Sequence, residues 1–261
     1  MFSRRQLAAY LGEFLGTAGL TLSVLAVAKS NLGSLPFFVA MATGLATTVL
    51  VFVFSSGNSY AQLNPAVTLG LWTIRRVKSL EAILNIALQL LGGFAALSLF
   101  TYFVNTTIPT SNLEFTGRVM VAEAVGTFIL AFGWAAALYN GYRGLALGAS
   151  VGLATLAGMV VATSASAALL NPAVALGVNQ WEWGTYVLGP VLGALIGFNL
   201  YSLLFAAPEK VVAVAAETAV VSEAPVATKT TVDKKPVAAK KAAKTPAVKK
   251  TTSRPKRTTK R

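Results

Sequence analysis

Gln62-Leu63-Asn64-Pro65-Ala66-Val67-Thr68-Leu69-Gly70 and Leu170-Asn171-Pro172-Ala173-Val174 carry the same tripeptide, each time at the mouth of a short apolar run. Proline fits the first turn of a helix, where its missing N–H would have had no partner anyway. The asparagine before it can cap that helix. The runs Pro65–Trp72 and Pro172–Val178 are far too short to cross about 30 Å of hydrocarbon. Irregular backbone at membrane depth is tolerated only where it is buried in protein or lines a water-filled cavity. The pattern therefore predicts two re-entrant half-helices. Each tip would offer an asparagine amide as donor and a helix end worth about half a positive charge. Two such tips face to face would orient neutral oxygen-bearing molecules and repel cations. One Asn-Pro-Ala in an Ala-rich chain is unremarkable; two copies at matched offsets inside a repeat are not chance.

The surroundings are membrane-like. Of 261 residues 55% are hydrophobic and only 12% charged, with mean hydropathy +0.64. The apolar residues fall in blocks near 7–28, 36–54, 80–104, 119–139, 144–163 and 183–205, about the length a spanning helix needs. The first block follows Ser3-Arg4-Arg5 but is too long for a signal core and has no small-residue cleavage site, so it reads as a retained span. Arg4, Arg5, Arg75, Arg76, Lys78 and Arg143 share one side of a six-span chain, leaving Lys29 and Arg118 near the other. The positive-inside rule then places both termini in the cytoplasm of a multi-pass cell-membrane protein. With no cysteine and no histidine, the chain has no thiol or imidazole chemistry and no Cys/His metal site. Neither catalysis, a metal nor a cofactor is expected.

The chain also repeats itself. Gly12-Glu13-Phe14-Leu15-Gly16-Thr17 opens one half and Ala122-Glu123-Ala124-Val125-Gly126-Thr127 the other. The two glutamates lie 110 positions apart and the two asparagines 107 apart. Each half, about 7–104 and 119–205, holds three spans, so the copies must enter the membrane from opposite sides. Inverted repeats of this kind place a site near the midplane, between the halves. The expected fold is an all-α membrane protein of six transmembrane helices and two re-entrant half-helices, occupying residues 1–205.

On these motifs, with Gln89-Leu90-Leu91-Gly92 and Gly189-Pro190-Val191-Leu192-Gly193-Ala194, the chain resembles the major intrinsic protein family of aquaporins and glycerol facilitators. The resemblance covers about residues 7–205. It implies an hourglass pore in each subunit of a homotetramer, with Asn64 and Asn171 as central donors beside Pro65, Ala66, Pro172 and Ala173. It implies that Glu13 and Glu123 brace the re-entrant loops through backbone hydrogen bonds. The alternative reading of two acids inside spans is proton carriage, although no relay of further acids accompanies them. Gln89 reads as a hydrogen-bonding contact between helices.

The family's outer constriction uses four positions, and counting back without gaps from the asparagines assigns them to Gly44, Met159, Ala168 and Val174. The water-selective pattern of aromatic, histidine, small residue and arginine is absent. Glycerol facilitators keep the arginine and follow it with aspartate, where this chain has Val174-Ala175. Gln62 also stands where histidine often precedes the first motif. Valine removes a fixed charge and a fork of donors, so the expected filter is wide and apolar. The function expected is passive passage of water and small neutral solutes such as glycerol, urea and gases. Rival readings are a non-conducting membrane scaffold and, more weakly, an alternating-access carrier.

From Ala206 onward 14 Lys/Arg stand against 4 Asp/Glu, and before it 8 against 5. Most of the net +13 thus belongs to a segment, 206–261, with no aromatic residue and too few large apolar ones to build a core. Its composition predicts a disordered cytoplasmic tail. Three readings stay open for it: a solvated charge run, adhesion to anionic lipid, or nucleic-acid binding.

Overall fold

Pro65 and Pro172 each stand one residue inside a short helix, and that placement organises the molecule. In the computed structural model, which describes residues 3–55, 59–110 and 113–206, the long helices are α1 (Arg4–Lys29), α2 (Pro36–Phe54), α4 (Ser79–Val104), α5 (Gly117–Tyr139), α6 (Gly144–Ala162) and α8 (Gly189–Phe205). The short ones are α3 (Pro65–Thr73) and α7 (Pro172–Gly177). A π-turn, Trp183–Leu188, leads into α8, so that Trp183–Phe205 is one apolar span. Among the described residues six helices are long and apolar enough to cross a bilayer. At 1.5 Å per residue α3 and α7 reach only about 14 Å and 9 Å, too short to span. The protein is a multi-pass membrane protein with an inverted pseudo-two-fold repeat, and its spans lie within a turn of the bounds read from sequence. The expected tail, apart from Ala206, lies outside the described residues.

Local chemistry sets the helix ends. Ser3 Oγ accepts from the Gln6 N–H and Gln6 Oε1 accepts from the Ser3 N–H, a reciprocal cap at the start of α1. Pro36 opens α2 as Pro65 and Pro172 open the half-helices. Lipid gives no hydrophobic drive for helix pairing, so close backbone approach through small residues matters more. Each half uses the same device. Gly92 of α4 lies so near α1 that a Cβ there would sit 2.5 Å from the Phe14 carbonyl oxygen, and Gly193 of α8 would meet the Ala124 carbonyl oxygen of α5. The halves join along α2 and α6, which pack closely. The outer surface is apolar where lipid is expected, with Leu45, Leu80, Ile83, Leu145 and Leu153 all more than 60% exposed.

Candidate functional site at the half-helix tips

Asn64 and Asn171 are the N-caps of α3 and α7. Asn64 Oδ1 accepts from the Ala66 N–H at 2.9 Å, and Asn171 Oδ1 from the Ala173 N–H at 3.0 Å. With the oxygens engaged, the amide nitrogens face across the pseudo-two-fold. Asn64 Nδ2 donates to the Leu170 carbonyl at 2.9 Å, and Asn171 Nδ2 donates to the Leu63 carbonyl at 2.8 Å. Each amide has a second N–H left for the space between the tips. The carbonyls are aimed by unusual backbone: Leu63 has φ +56° and Leu170 φ +52°. The left-handed region costs a leucine about 1–2 kcal/mol, so both positions need outside restraint.

The N–H groups of these two leucines are met by two glutamates. Glu13 of α1 accepts from the Gln62 N–H at 2.7 Å and the Leu63 N–H at 2.8 Å. Glu123 of α5 accepts from the Leu169 N–H at 3.0 Å and the Leu170 N–H at 2.7 Å. Each carboxylate holds a third donor, Gln89 Nε2 on Glu13 and Ser166 Oγ on Glu123. Both side chains are buried. Behind α3, Gln62 Oε1 accepts from Thr68 Oγ1 and Asn85 Nδ2, while Gln89 Nε2 also reaches Thr68 Oγ1.

A narrow cavity of about 30 Å³ lies between the tips, bounded by both asparagines with Gln62, Leu63, Leu170 and Val174. A site for one water needs about 10–15 Å³ on this measure, so there is room for only a couple of molecules at a time. Apolar walls come from Leu20, Val67, Leu130 and Val151, and hydroxyl-bearing ones from Thr43, Thr47 and Thr155. The cavity is thus a short constriction flanked by two asparagine amides. The family pattern for major intrinsic proteins matches residues 2–201.

The chain belongs to the major intrinsic protein family. It is 28% identical to aquaporin AqpM of Methanothermobacter thermautotrophicus, over 77% of this chain and 97% of the relative. It is 27% identical to aquaporin Z of Photorhabdus laumondii, over 79% of this chain and 99% of that one. Among solved structures, the aquaglyceroporin of Plasmodium falciparum superposes with TM-score 0.64, covering 76% of this chain and 96% of that one at 22% identity. That last likeness concerns the fold. As a major intrinsic protein the chain is a channel and not an enzyme.

Within this channel, the four positions counted back for the outer constriction are placed differently from one another. Val174 bounds the central cavity. Met159 and Ala168 are buried but do not line it. Gly44 is turned toward α6, where an added Cβ would sit 2.8 Å from the Gly152 carbonyl oxygen. On α2 the cavity wall is formed by Thr43 and Thr47. Sequence reasoning passed over these threonines and Thr155. Their signal was legible, since Thr43 and Thr47 are four apart and share a helix face. Asn85, too, was missed as the partner of Gln62.

Proposed function

We propose that this channel passes water and small neutral solutes, glycerol, urea and dissolved gases among them, through a pore whose outer end is wide and apolar. The observation that carries the reading is the reciprocal Asn64–Leu170 and Asn171–Leu63 lock, which aims two amide donors into a space of a couple of water volumes. Passing molecules trade hydrogen bonds with these donors, and the positive ends of α3 and α7 oppose cations. Val174 contributes no charge at the outer filter, where Gly44, Met159 and Ala168 were the other positions read from sequence, and Thr43 is the α2 side chain nearest that role. Exclusion of protons therefore rests on the asparagines and the helix ends. The role proposed for Glu13 and Glu123 is to brace the loops; three donors converging on each carboxylate support it. The name of the relatives, aquaporin, agrees with passage of water. In the proposed arrangement four copies assemble in the cell membrane with both termini cytoplasmic, and the basic tail meets anionic lipid or nucleic acid.

Stopped-flow light scattering on proteoliposomes tests this. Sucrose shock should shrink loaded vesicles faster than empty ones, and glycerol and urea shocks should show faster re-swelling. Rates equal to those of empty vesicles for every solute would overturn this reading. Val174→Arg should slow glycerol and urea entry and reduce proton leak, whereas tight proton exclusion by the wild-type chain would refute the filter assignment.

A further inference from the structure

Away from the pore, Trp72, Thr73, Arg75, Val77, Lys78 and Ser79 line an open pocket of about 660 Å³ where α3 hands over to α4. Arg75, Lys78 and Ser79 are exposed, and Trp72 is 43% exposed. Among the described residues neither Arg75 nor Lys78 has a side-chain hydrogen bond or an ion pair, and Glu81, one turn on, is not part of the lining. The neighbouring cations are otherwise engaged: Arg76 lies 5.0 Å over the Tyr139 ring and Arg143 lies 4.7 Å over the Tyr60 ring. The pocket thus has two unneutralised cations and no carboxylate. Of its two hydroxyls, Thr73 Oγ1 is already engaged, donating to the Gly70 carbonyl and accepting from Asn199 Nδ2, whereas Ser79 Oγ accepts from Trp72 Nε1 at 3.0 Å and keeps its own proton to donate.

The backbone gives a second reason to regard this arginine as placed. At the end of α3, the Arg75 N–H bonds to the Trp72 carbonyl and the Arg76 N–H to the Leu71 carbonyl, with Arg75 at φ +60°. That is the left-handed helix stop for which glycine or asparagine is the usual residue. The same stop after α7 uses Asn179 and after α5 uses Gly141. Only after α3 does it carry a long cationic side chain, despite the cost of that conformation.

The pocket also has a definite depth. Ser79 is the first residue of a span, and Leu80 and Ile83 directly below it are 63% and 64% exposed. A charged head seated between Arg75 and Lys78 therefore continues into an apolar strip at the depth of acyl chains, with the Trp72 ring at the boundary as interfacial tryptophans are. Basic pockets of this kind suit phosphate-bearing lipid heads.

We propose that the Trp72–Ser79 pocket binds the phosphate of an anionic phospholipid headgroup, with Arg75 and Lys78 as its charge partners, Ser79 as donor, and Leu80 and Ile83 as the bed for the chains. Trp72 makes the site observable. Full-length protein in phosphatidylcholine vesicles should lose tryptophan fluorescence at a lower mole fraction of brominated phosphatidylglycerol than of brominated phosphatidylcholine. The preference should vanish in Trp72→Phe. Arg75→Gly fits the left-handed backbone better than arginine does, so its folding is safe, and it should weaken the preference about fivefold; Lys78→Gln should do the same, on the order of 1 kcal/mol per cation near the surface. The tail is unchanged throughout, so its own lipid contacts do not alter the comparison. Coincident quenching curves for the two lipids in the wild type, or a preference that survives Arg75→Gly/Lys78→Gln, would overturn the proposal. Millimolar inorganic phosphate that shifts Trp72 emission in pure phosphatidylcholine and abolishes the lipid preference would reassign the pocket to the free anion.

Discussion

The two halves of this channel hold their re-entrant loops with the same carboxylate and surround it with different chemistry. In the first half Glu13 shares its third donor with a distant helix, through Gln89 of α4, and a buried polar cluster of Gln62, Thr68 and Asn85 stands behind the tip. In the second half Glu123 takes its third donor from Ser166 of the loop itself. By the offset between the asparagines, Leu169 and Ala175 occupy the places of Gln62 and Thr68. By the offset between Gly92 and Gly193, Tyr186 and Pro190 correspond to Asn85 and Gln89. The inverted repeat therefore constrains the backbone donors and the acceptor that meets them. It leaves open whether the wall behind them is polar or apolar.

The largest effect should come from removing an acceptor. Glu13→Leu leaves the Gln62 and Leu63 N–H groups and one N–H of the Gln89 amide unpaired in the interior, at about 1–3 kcal/mol each, while the other Gln89 N–H keeps its bond to Thr68 Oγ1. Glu123→Leu leaves two backbone donors, while Ser166 keeps its bond to the Ala162 carbonyl. Thermal unfolding in detergent should show both variants strongly destabilised, Glu13→Leu more so; the reverse order would break the asymmetry drawn above. Next in size, Asn64→Ala and Asn171→Ala each lose a helix cap worth about 0.5–2 kcal/mol together with one arm of the lock. They should lower water permeability several-fold and to similar extents, because at the tips the halves are alike. A large difference in osmotic shrinkage between the two would show that one tip dominates.

A smaller and more discriminating test converts the first half toward the second. Gln62→Leu alone strands Asn85 Nδ2 and should cost about 1–3 kcal/mol. Asn85→Leu in the same chain should return much of that, since replacing both partners of a buried hydrogen bond is nearly neutral. Additive losses in the double-mutant cycle would mean that the cluster is not one network. The smallest effect concerns Glu182, which caps the start of the last span. Burial alone would raise its carboxyl, but hydrogen bonds from Thr185 and from the Gly184 N–H outweigh this and hold it below the usual carboxylate range. A lowered folded value means the cap's stabilisation is complete above the ordinary carboxylate pKa and is lost as pH falls through the folded one. Fluorescence of Trp181 and Trp183 should report loosening there on strong acidification, and Glu182→Gln should flatten that response.

What was legible in the sequence was whatever covalent spacing fixes. Proline at the first helical position, glutamates and asparagines at matched offsets, and apolar blocks of spanning length are all properties of the chain itself, so the spans and half-helices followed. Which side of a long apolar helix faces the pore was not fixed in that way. Successive helical residues point about 100° apart, so counting back from Asn64 to Gly44 carries no information about helix phase. Gly44 in fact meets the backbone of α6, and the neighbouring Thr43 meets the cavity. Val174 adjoins the motif, so its numbering did not depend on helix phase, and it bounds the cavity between the tips. The bonding of Gln62 to Asn85 was hidden for another reason, since it joins residues 23 apart through tertiary packing alone.

The lock between the tips also has a bearing on how the protein is made. Asn64 Nδ2 finds its acceptor 106 residues downstream, on Leu170. At about 5–20 residues per second, the first half-helix waits roughly 5–20 s after synthesis before its partner exists. During that interval the Leu63 carbonyl and the Asn64 amide must be satisfied by water or by the insertion machinery. The nascent first half therefore carries a donor and an acceptor at its tip whose protein partners arrive only with the second half.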